Sequence, residues 1–391
     1  MRVFKLVCCG VFVALLFLPM VQRMAGLFPS TRLHGVVEAA EKPDLTPRTW
    51  FDGTYQVQRE AYFNEQVGLR GALIRTYNQL VFSLFGKIPG RRGTQLVLGK
   101  ENWLYERAYV RYYVRSSGRD QDDLAPFAAS LRNLQNALHE AGKAFAVVIS
   151  PSKAEIYPEY IPDEHLAARN PDTHRTDYDH LVSLLAEAGV VTVDAHRLLL
   201  DAKDASPYPL FAKGGTHWNH YAIYRVLDAL LERLAPQLAM PLPQPRIANV
   251  ELRRPRGADR DLANLMNLWD PTPLEAPTPY ARLEVARRPP AERPDVLIVG
   301  DSFAFTLVDA LRAAGTARKI DMLYYFKRHY DYPVGDAPLD HGDVPNEPLY
   351  RDNIDWERFL DDKDIVILEF NEIYVRRMAW GFADAAREAM R

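Results

Sequence analysis

Asp295-Val296-Leu297-Ile298-Val299-Gly300-Asp301-Ser302-Phe303 decides the fold of this chain. After Asp295, the four residues Val296 to Val299 are an apolar run of strand length, bounded by a glycine. From Phe303 to Ala314 the pattern turns helical, so Ser302 stands at a strand-turn-helix junction. A fully apolar strand is one buried on both faces, as in a parallel sheet. Its end points at the carboxyl edge of that sheet, where ligands bind. The following helix start offers free N–H groups and partial positive charge to a developing oxyanion. A serine there is also an ordinary helix cap, so the motif needs a partner.

That partner stands upstream, in Gly214-Gly215-Thr216-His217-Trp218-Asn219, just ahead of another helical pattern. Serine attacks an acyl carbon only when a base takes its proton, and His217 is the base on offer. His220 makes a His-x-x-His pair with it, but no third ligand spacing follows, and neither a metal nor a cofactor is expected.

Strands and helices alternate around these motifs. Leu124 to Ala141 reads as an amphipathic helix closed by Gly142, and Ala144 to Ile149 as a buried strand. Asp177 to Ala188 is a second helix and Val190 to Val193 a second strand. Tyr221 to Leu234 is a third helix; Ile320 to Phe326 and Asp364 to Phe370 are further strands. The expectation is a mostly parallel sheet covered on both faces, an α/β/α sandwich. Upstream, Trp50 to Phe85 is helical, Gly86 to Gly93 breaks it, and Thr94 to Tyr105 reads as a hairpin. The last strand delivers Asn371 and Glu372. The Asn371 amide either donates to an oxyanion or satisfies its own loop.

At the N-terminus, Arg2 and Lys5 precede an apolar run to Val21. As a helix, Val3 to Val21 would span about 28 Å, close to the hydrocarbon thickness of about 30 Å. It is either an uncleaved anchor or a removed signal, and Arg23 and Met24 stand where a small-residue cleavage site belongs, which favours the anchor. The early positive charges hold the N-terminus inside and place the rest outside the cytoplasmic membrane. Both cysteines, Cys8 and Cys9, lie in this run, so the remainder can form neither a disulfide nor a cysteine zinc site. The chain has 391 residues and a net charge of -3, which gives no global basic field for nucleic acid. Arg253, Arg254, Arg256 and Arg260 form a local cluster, either a solvated loop or a contact for an anionic polymer or lipid headgroups. The expected organisation is anchor or signal over 1–23, tether over 24–49 and one domain over 50–391. Within that domain a Pro- and Arg-rich surface insertion covers 235–294.

Gly300-Asp301-Ser302 after one strand and Asn371-Glu372 after a later one resemble the SGNH hydrolase superfamily. Here the histidine precedes the serine, as in a circular permutation. That order, with Thr216-His217-Trp218, resembles the periplasmic alginate O-acetyltransferase family of AlgJ and AlgX type. Gly99-Lys100-Glu101-Asn102-Trp103-Leu104-Tyr105, Ser150-Pro151-Ser152-Lys153 and Tyr157-Pro158-Glu159 extend the likeness over about Trp50 to Glu372. The resemblance implies a Ser302 nucleophile, His217 as base, and the Ser302 N–H with Asn371 as oxyanion donors. Lys153 and Trp218 are the substrate-contact candidates; Lys153 could instead cap its strand. The implied partners are a polysaccharide acceptor, a membrane-bound O-acyltransferase that supplies acetyl, and the inner membrane. Chain length after Glu372 leaves no room for a carbohydrate-binding module.

One position departs from the family pattern Asp-x-His-Trp: Gly215 stands where the acid belongs. Either a backbone carbonyl or another acid must then orient His217, and Asp194, after the Val190 to Val193 strand, is the candidate. Paired glycines at 214 and 215 suggest a different loop course, with φ > 0 at Gly215 one way to exclude Asp. An acetyl esterase and a scaffold that only binds polymer are the other functional readings.

Overall fold

The computed structural model describes residues 2–35, 40–90, 95–115, 123–167, 169, 174–286, 288–337 and 339–391. Thr94, the expected start of the hairpin, lies outside them, as do residues 91–93 of the expected break and 36–39 of the expected tether. The chain divides into two compact units, Met1–Thr94 with Leu262–Pro273, and Gln95–Asp261 with Leu274–Arg391. Residues 50–90, expected within the α/β domain, therefore pack in the first unit.

The first unit is helical. Its first helix, Arg2–Ala25, has a mean hydropathy of 2.4 over its most apolar stretch and is long enough to cross a membrane. Pro47–Phe51, Thr54–Glu65 and Arg70–Phe85 follow, where the sequence shows one helical pattern. The Thr46 side chain caps the first of these three, and Gly53 at φ 83 separates it from the next. The Arg75 guanidinium and the Asn78 amide donate to the carbonyls of Leu268 and Met266, which ties Leu262–Pro273 to this unit.

The second unit is an α/β/α sandwich. Strands β1 (Leu96–Leu98) and β2 (Leu104–Glu106) make the expected hairpin. Next come β3 (Ala144–Ser150) and β4 (Thr192–Asp194), then the pair β5 (Arg246–Arg253) and β6 (Thr278–Glu284). The remaining strands are β7 (Val296–Gly300), β8 (Ile320–Tyr324), β9 (Arg328–Tyr332), β10 (Asn346–Pro348) and β11 (Ile365–Asn371). The seven-stranded sheet has the order β10-β9-β8-β7-β11-β3-β4. From β8 to β4 it is parallel; β9 and β10 close one side antiparallel.

Side chains alternate across this sheet as the pleat requires. Ala144, Ala146 and Val148 of β3, with Val296 and Ile298 of β7, face a core that includes Leu227 and Leu230 of the helix His220–Leu234 and Leu307 of the helix Phe303–Ala313. Phe145, Val147 and Ile149, with Leu297 and Val299, face the opposite core against Leu131 and Leu134 of the helix Leu124–Glu140 and Leu181 of the helix Asp177–Ala188. All five residues Val296–Gly300 are buried, which is why the run carries no alternation of polarity. Ser302 follows β7, between β8 and β11.

Candidate active site

Gly300 ends β7 where backbone and neighbours come close. A Cβ there would lie 2.7 Å from the Ala304 Cβ and 2.9 Å from Glu369 Oε2, so the glycine serves close approach. Below the serine, Asp301 is fully buried. Its Oδ1 accepts the Phe303 N–H at 2.9 Å and its Oδ2 the Asn371 N–H at 2.7 Å. The Asp301 N–H donates to Glu369 Oε2 at 3.1 Å, and the Ser150 hydroxyl donates to Glu369 Oε1 at 2.7 Å. Burial, then the neighbouring Asp301 carboxylate, push the Glu369 carboxyl well above its usual range. Asp301 and Glu369 together lock the turn that presents Ser302.

His217 Nε2 lies 2.8 Å from Ser302 Oγ. On the other side of the ring, Nδ1 lies 2.8 Å from Asp261 Oδ2. The second Asp261 oxygen accepts the Thr216 N–H at 2.9 Å, so one carboxylate fixes both the ring and the backbone that carries it. The Phe303 ring supports the imidazole from 4.8 Å. Burial disfavours the charged ring, but the hydrogen bond and charge of Asp261, then Asp301 and Glu106, outweigh it and raise the His217 pKa. Ser302, His217 and Asp261 form the geometry of a serine-histidine-acid triad.

Asp261 is the residue sequence reasoning missed. It follows the short turn Gly257–Arg260, in the segment read as a surface insertion. Asp194 does not reach His217: its carboxylate accepts the Tyr178 hydroxyl at 2.8 and 2.9 Å and the Arg197 N–H at 3.0 Å, capping the helix Ala195–Ala202. Gly215 lacks positive φ. Its constraint is proximity, since a Cβ there would meet the Ala258 carbonyl oxygen at 2.6 Å and the Asp259 backbone at 2.8 Å. The segment that delivers Asp261 packs where a side chain at 215 would stand.

Three other candidates are corrected by their surroundings. Lys153 is only 1% exposed. Its ammonium donates to the carbonyls of Ala212 at 2.8 Å, Lys213 at 2.8 Å and Gly215 at 2.7 Å, above the Trp103 and Tyr105 rings. It shapes the loop leading to His217 and has no donor left for sugar. Trp218 is fully buried; its indole N–H donates to the Thr306 hydroxyl and its ring packs edge-on against Phe303. Asn371 is buried too, and its amide donates to the Pro151 carbonyl at 3.1 Å and to Ser150 Oγ at 3.4 Å. Both amide hydrogens are thereby taken up, which leaves Asn371 none for an oxyanion.

Glu372 enters a separate cluster. Its Oε2 lies 2.5 Å from His196 Nδ1, and Glu155 Oε1 lies 3.7 Å from His196 Nε2. One ligand atom from each of the three residues lies within 4.8 Å of the others, close enough to hold a metal, and the nearest contacts put one acid at each ring nitrogen, as around an imidazolium. Burial opposes that charge, but Glu372 and then Glu155 overcome it and raise His196 to about 9. In the arginine cluster, Arg254 and Arg260 both pair with Glu275, at 2.7 and 2.9 Å, and Arg253 pairs with Glu251.

Residues 96–317 match the family described as SGNH hydrolase-like domain, acetyltransferase AlgX. The chain belongs to that family. A probable alginate O-acetylase AlgJ from Pseudomonas syringae pv. tomato is 26% identical over 44% of this chain and 40% of its own length. The corresponding Pseudomonas aeruginosa protein is 28% identical over 41% and 37%. The chain thus spans less than half the length of these curated relatives. Among solved structures, the O-acetyltransferase domain of Pseudomonas putida AlgJ aligns with 74% of this chain and 99% of its own, at 19% identity and a TM-score of 0.44. Pseudomonas aeruginosa AlgX aligns with 74% and 66%, at 18% identity and a TM-score of 0.43.

Proposed function

We propose that this chain is an O-acetyltransferase that moves acetyl to hydroxyls of an extracytoplasmic polysaccharide through an acetyl-Ser302 intermediate. The observation that carries the reading is the His217 ring standing 2.8 Å from both Ser302 Oγ and Asp261 Oδ2. His217 Nε2 takes the hydroxyl proton as Ser302 Oγ bonds to the acetyl carbon. The bond to the donor's leaving atom then breaks, and that atom receives the proton from Nε2. In the second half, a sugar hydroxyl gives its proton to Nε2 and its oxygen attacks the same carbon. The Ser302 Oγ–acetyl bond breaks, and Oγ regains the proton. The Ser302 N–H and the helix start face the negative oxygen in both steps.

The family's acetyltransferase description and the relatives' alginate O-acetylase names support a polysaccharide acceptor. The apolar helix Arg2–Ala25 supports tethering to the inner membrane, on whose outer side a membrane-bound O-acyltransferase would supply acetyl. The test uses purified full-length protein with p-nitrophenyl acetate and a serine-directed sulfonyl fluoride. Wild type should be labelled at Ser302 and release nitrophenol in a burst; Ser302→Ala should do neither. Acetate as the sole product with every sugar supplied would make the protein an esterase. A folded wild type that the probe never labels would make it a scaffold.

A further inference from the structure

Ser302 follows β7, whose two neighbours each carry an aromatic residue past their carboxyl ends. Tyr325 follows β8, and its N–H donates to the Gly300 carbonyl at 2.8 Å, two residues before the serine. Tyr374 comes three residues after β11. The two hydroxyls meet at 3.3 Å, so the pair bridges across the end of the strand that carries the nucleophile. Trp380 completes the group, edge-on to Tyr325 with ring centres 5.2 Å apart and 6.4 Å from Tyr374. Tyr374 also stands edge-on to Tyr325, at 5.7 Å. All three side chains are partly open to solvent.

The backbone beneath these rings is strained. Tyr325 and Phe326 have φ of 50 and 51, and the Lys327 N–H closes the turn onto the Tyr324 carbonyl at 3.0 Å. A turn with two positive-φ central residues usually holds Asn-Gly. Phe326 has a reason to be there, since it is buried in the core. Tyr325 has no such burial. The second segment has Met378, Ala379 and Trp380 at φ 46, 47 and 58. Of these, Ala379 is buried in the core, while Trp380 lies half out of it. The buried Phe326 and Ala379 anchor these two loops, which hold three partly open rings together at the carboxyl edge of the sheet.

We propose that Tyr325, Tyr374 and Trp380 form the acceptor subsite: a corner of perpendicular rings that receives one pyranose ring of the polysaccharide beside Ser302. Aromatic faces take the apolar C–H face of a sugar, while tyrosine hydroxyls reach its hydroxyl groups. The corner would hold an acceptor hydroxyl near the acetyl carbon and so favour sugar over water in deacylation. This rests on the acyl-Ser302 reading above.

The experiment measures how acetyl-Ser302 partitions between sugar and water. Full-length protein is given p-nitrophenyl acetate with cellohexaose, chitohexaose or a mannuronate hexamer, and acetyl-sugar is measured against acetate. With the acetate formed in the absence of protein subtracted, this ratio depends on neither the fraction of folded protein nor the rate of acylation. With the sugar that wild type acetylates, Tyr325→Ala, Tyr374→Ala and Trp380→Leu should each lower the ratio at least ten-fold. Tyr325→Phe, which keeps the ring, should retain most of it. Wild-type ratios in the three ring-removing variants would overturn the subsite. So would a wild type that forms acetyl-Ser302 and yields only acetate with all three sugars. A wild type that forms no acetyl-Ser302 would overturn the acyl-transfer reading itself, and the subsite with it.

Discussion

Asp261 carries more of the site than any residue except the serine and histidine it serves. With one oxygen on the His217 ring and one on the Thr216 N–H, it sets both tautomer and loop. Asp261→Asn should lower the rate of Ser302 acylation about 10²- to 10⁴-fold without unfolding the protein, read as burst rate with p-nitrophenyl acetate. The ring must be neutral to accept a proton, and its pKa is raised. The acid limb of acylation should therefore lie above about 6.5, the ordinary imidazole value, and should move down in Asp261→Asn. Gly215→Asp should lose both stability and acylation, because its Cβ would press on the Ala258 carbonyl. Lys153→Met would leave three carbonyls without their donor, at about 1–3 kcal/mol each. A fall in urea stability of less than about 1 kcal/mol would show that Lys153 does not hold this loop.

At the scale of elements, the carboxyl ends of β11 and β3 and the helix Ala195–Ala202 after β4 are tied by Glu372, Glu155 and His196. Glu372 also accepts the Ser152 N–H at 2.9 Å, which fixes the loop carrying Lys153. His196 has a folded pKa of about 9 against 6.5 for an ordinary imidazole. A raised value means the folded state holds the proton more tightly. This stability is present in full below pH 6.5 and is lost as pH rises through about 9. The stability gap between wild type and His196→Gln should thus narrow between pH 7 and pH 10 in urea melts. A gap of constant size would show that the imidazolium is not the source.

For the molecule as a whole, the two compact units separate tasks. The first carries the helix Arg2–Ala25, and every residue of the triad lies in the second. Full-length protein should fractionate with membranes, and a variant lacking residues 2–25 should become soluble while keeping sulfonyl fluoride labelling at Ser302. Labelling lost together with membrane attachment would mean that the first helix supports the site itself. The chain passes between the units three times, after Thr94, after Asp261 and after Pro273.

The sequence by itself determined the local elements and the two residues with local signatures. The helix Asp177–Ala188 lies where its periodicity and Gly189 put it, and β3, β7 and β11 fall within a residue or so of their apolar runs. Ser302 was legible because a strand-turn-helix junction is written in adjacent residues, and His217 because it leads a helix from a glycine loop. The strands β9 and β10 were not read, since half-buried residues such as Arg328, Tyr330 and Asp331 give no apolar run. Tertiary structure alone decided the third member of the triad. Asp261 lies 44 residues from His217 in an Arg-rich stretch, and only the packing of that stretch against Gly215 brings it within reach. The same holds for Lys153, Trp218 and Asn371. Their residue types suit a sugar site or an oxyanion, but each is consumed by internal partners, and whether a polar group meets substrate or backbone depends on what folds over it.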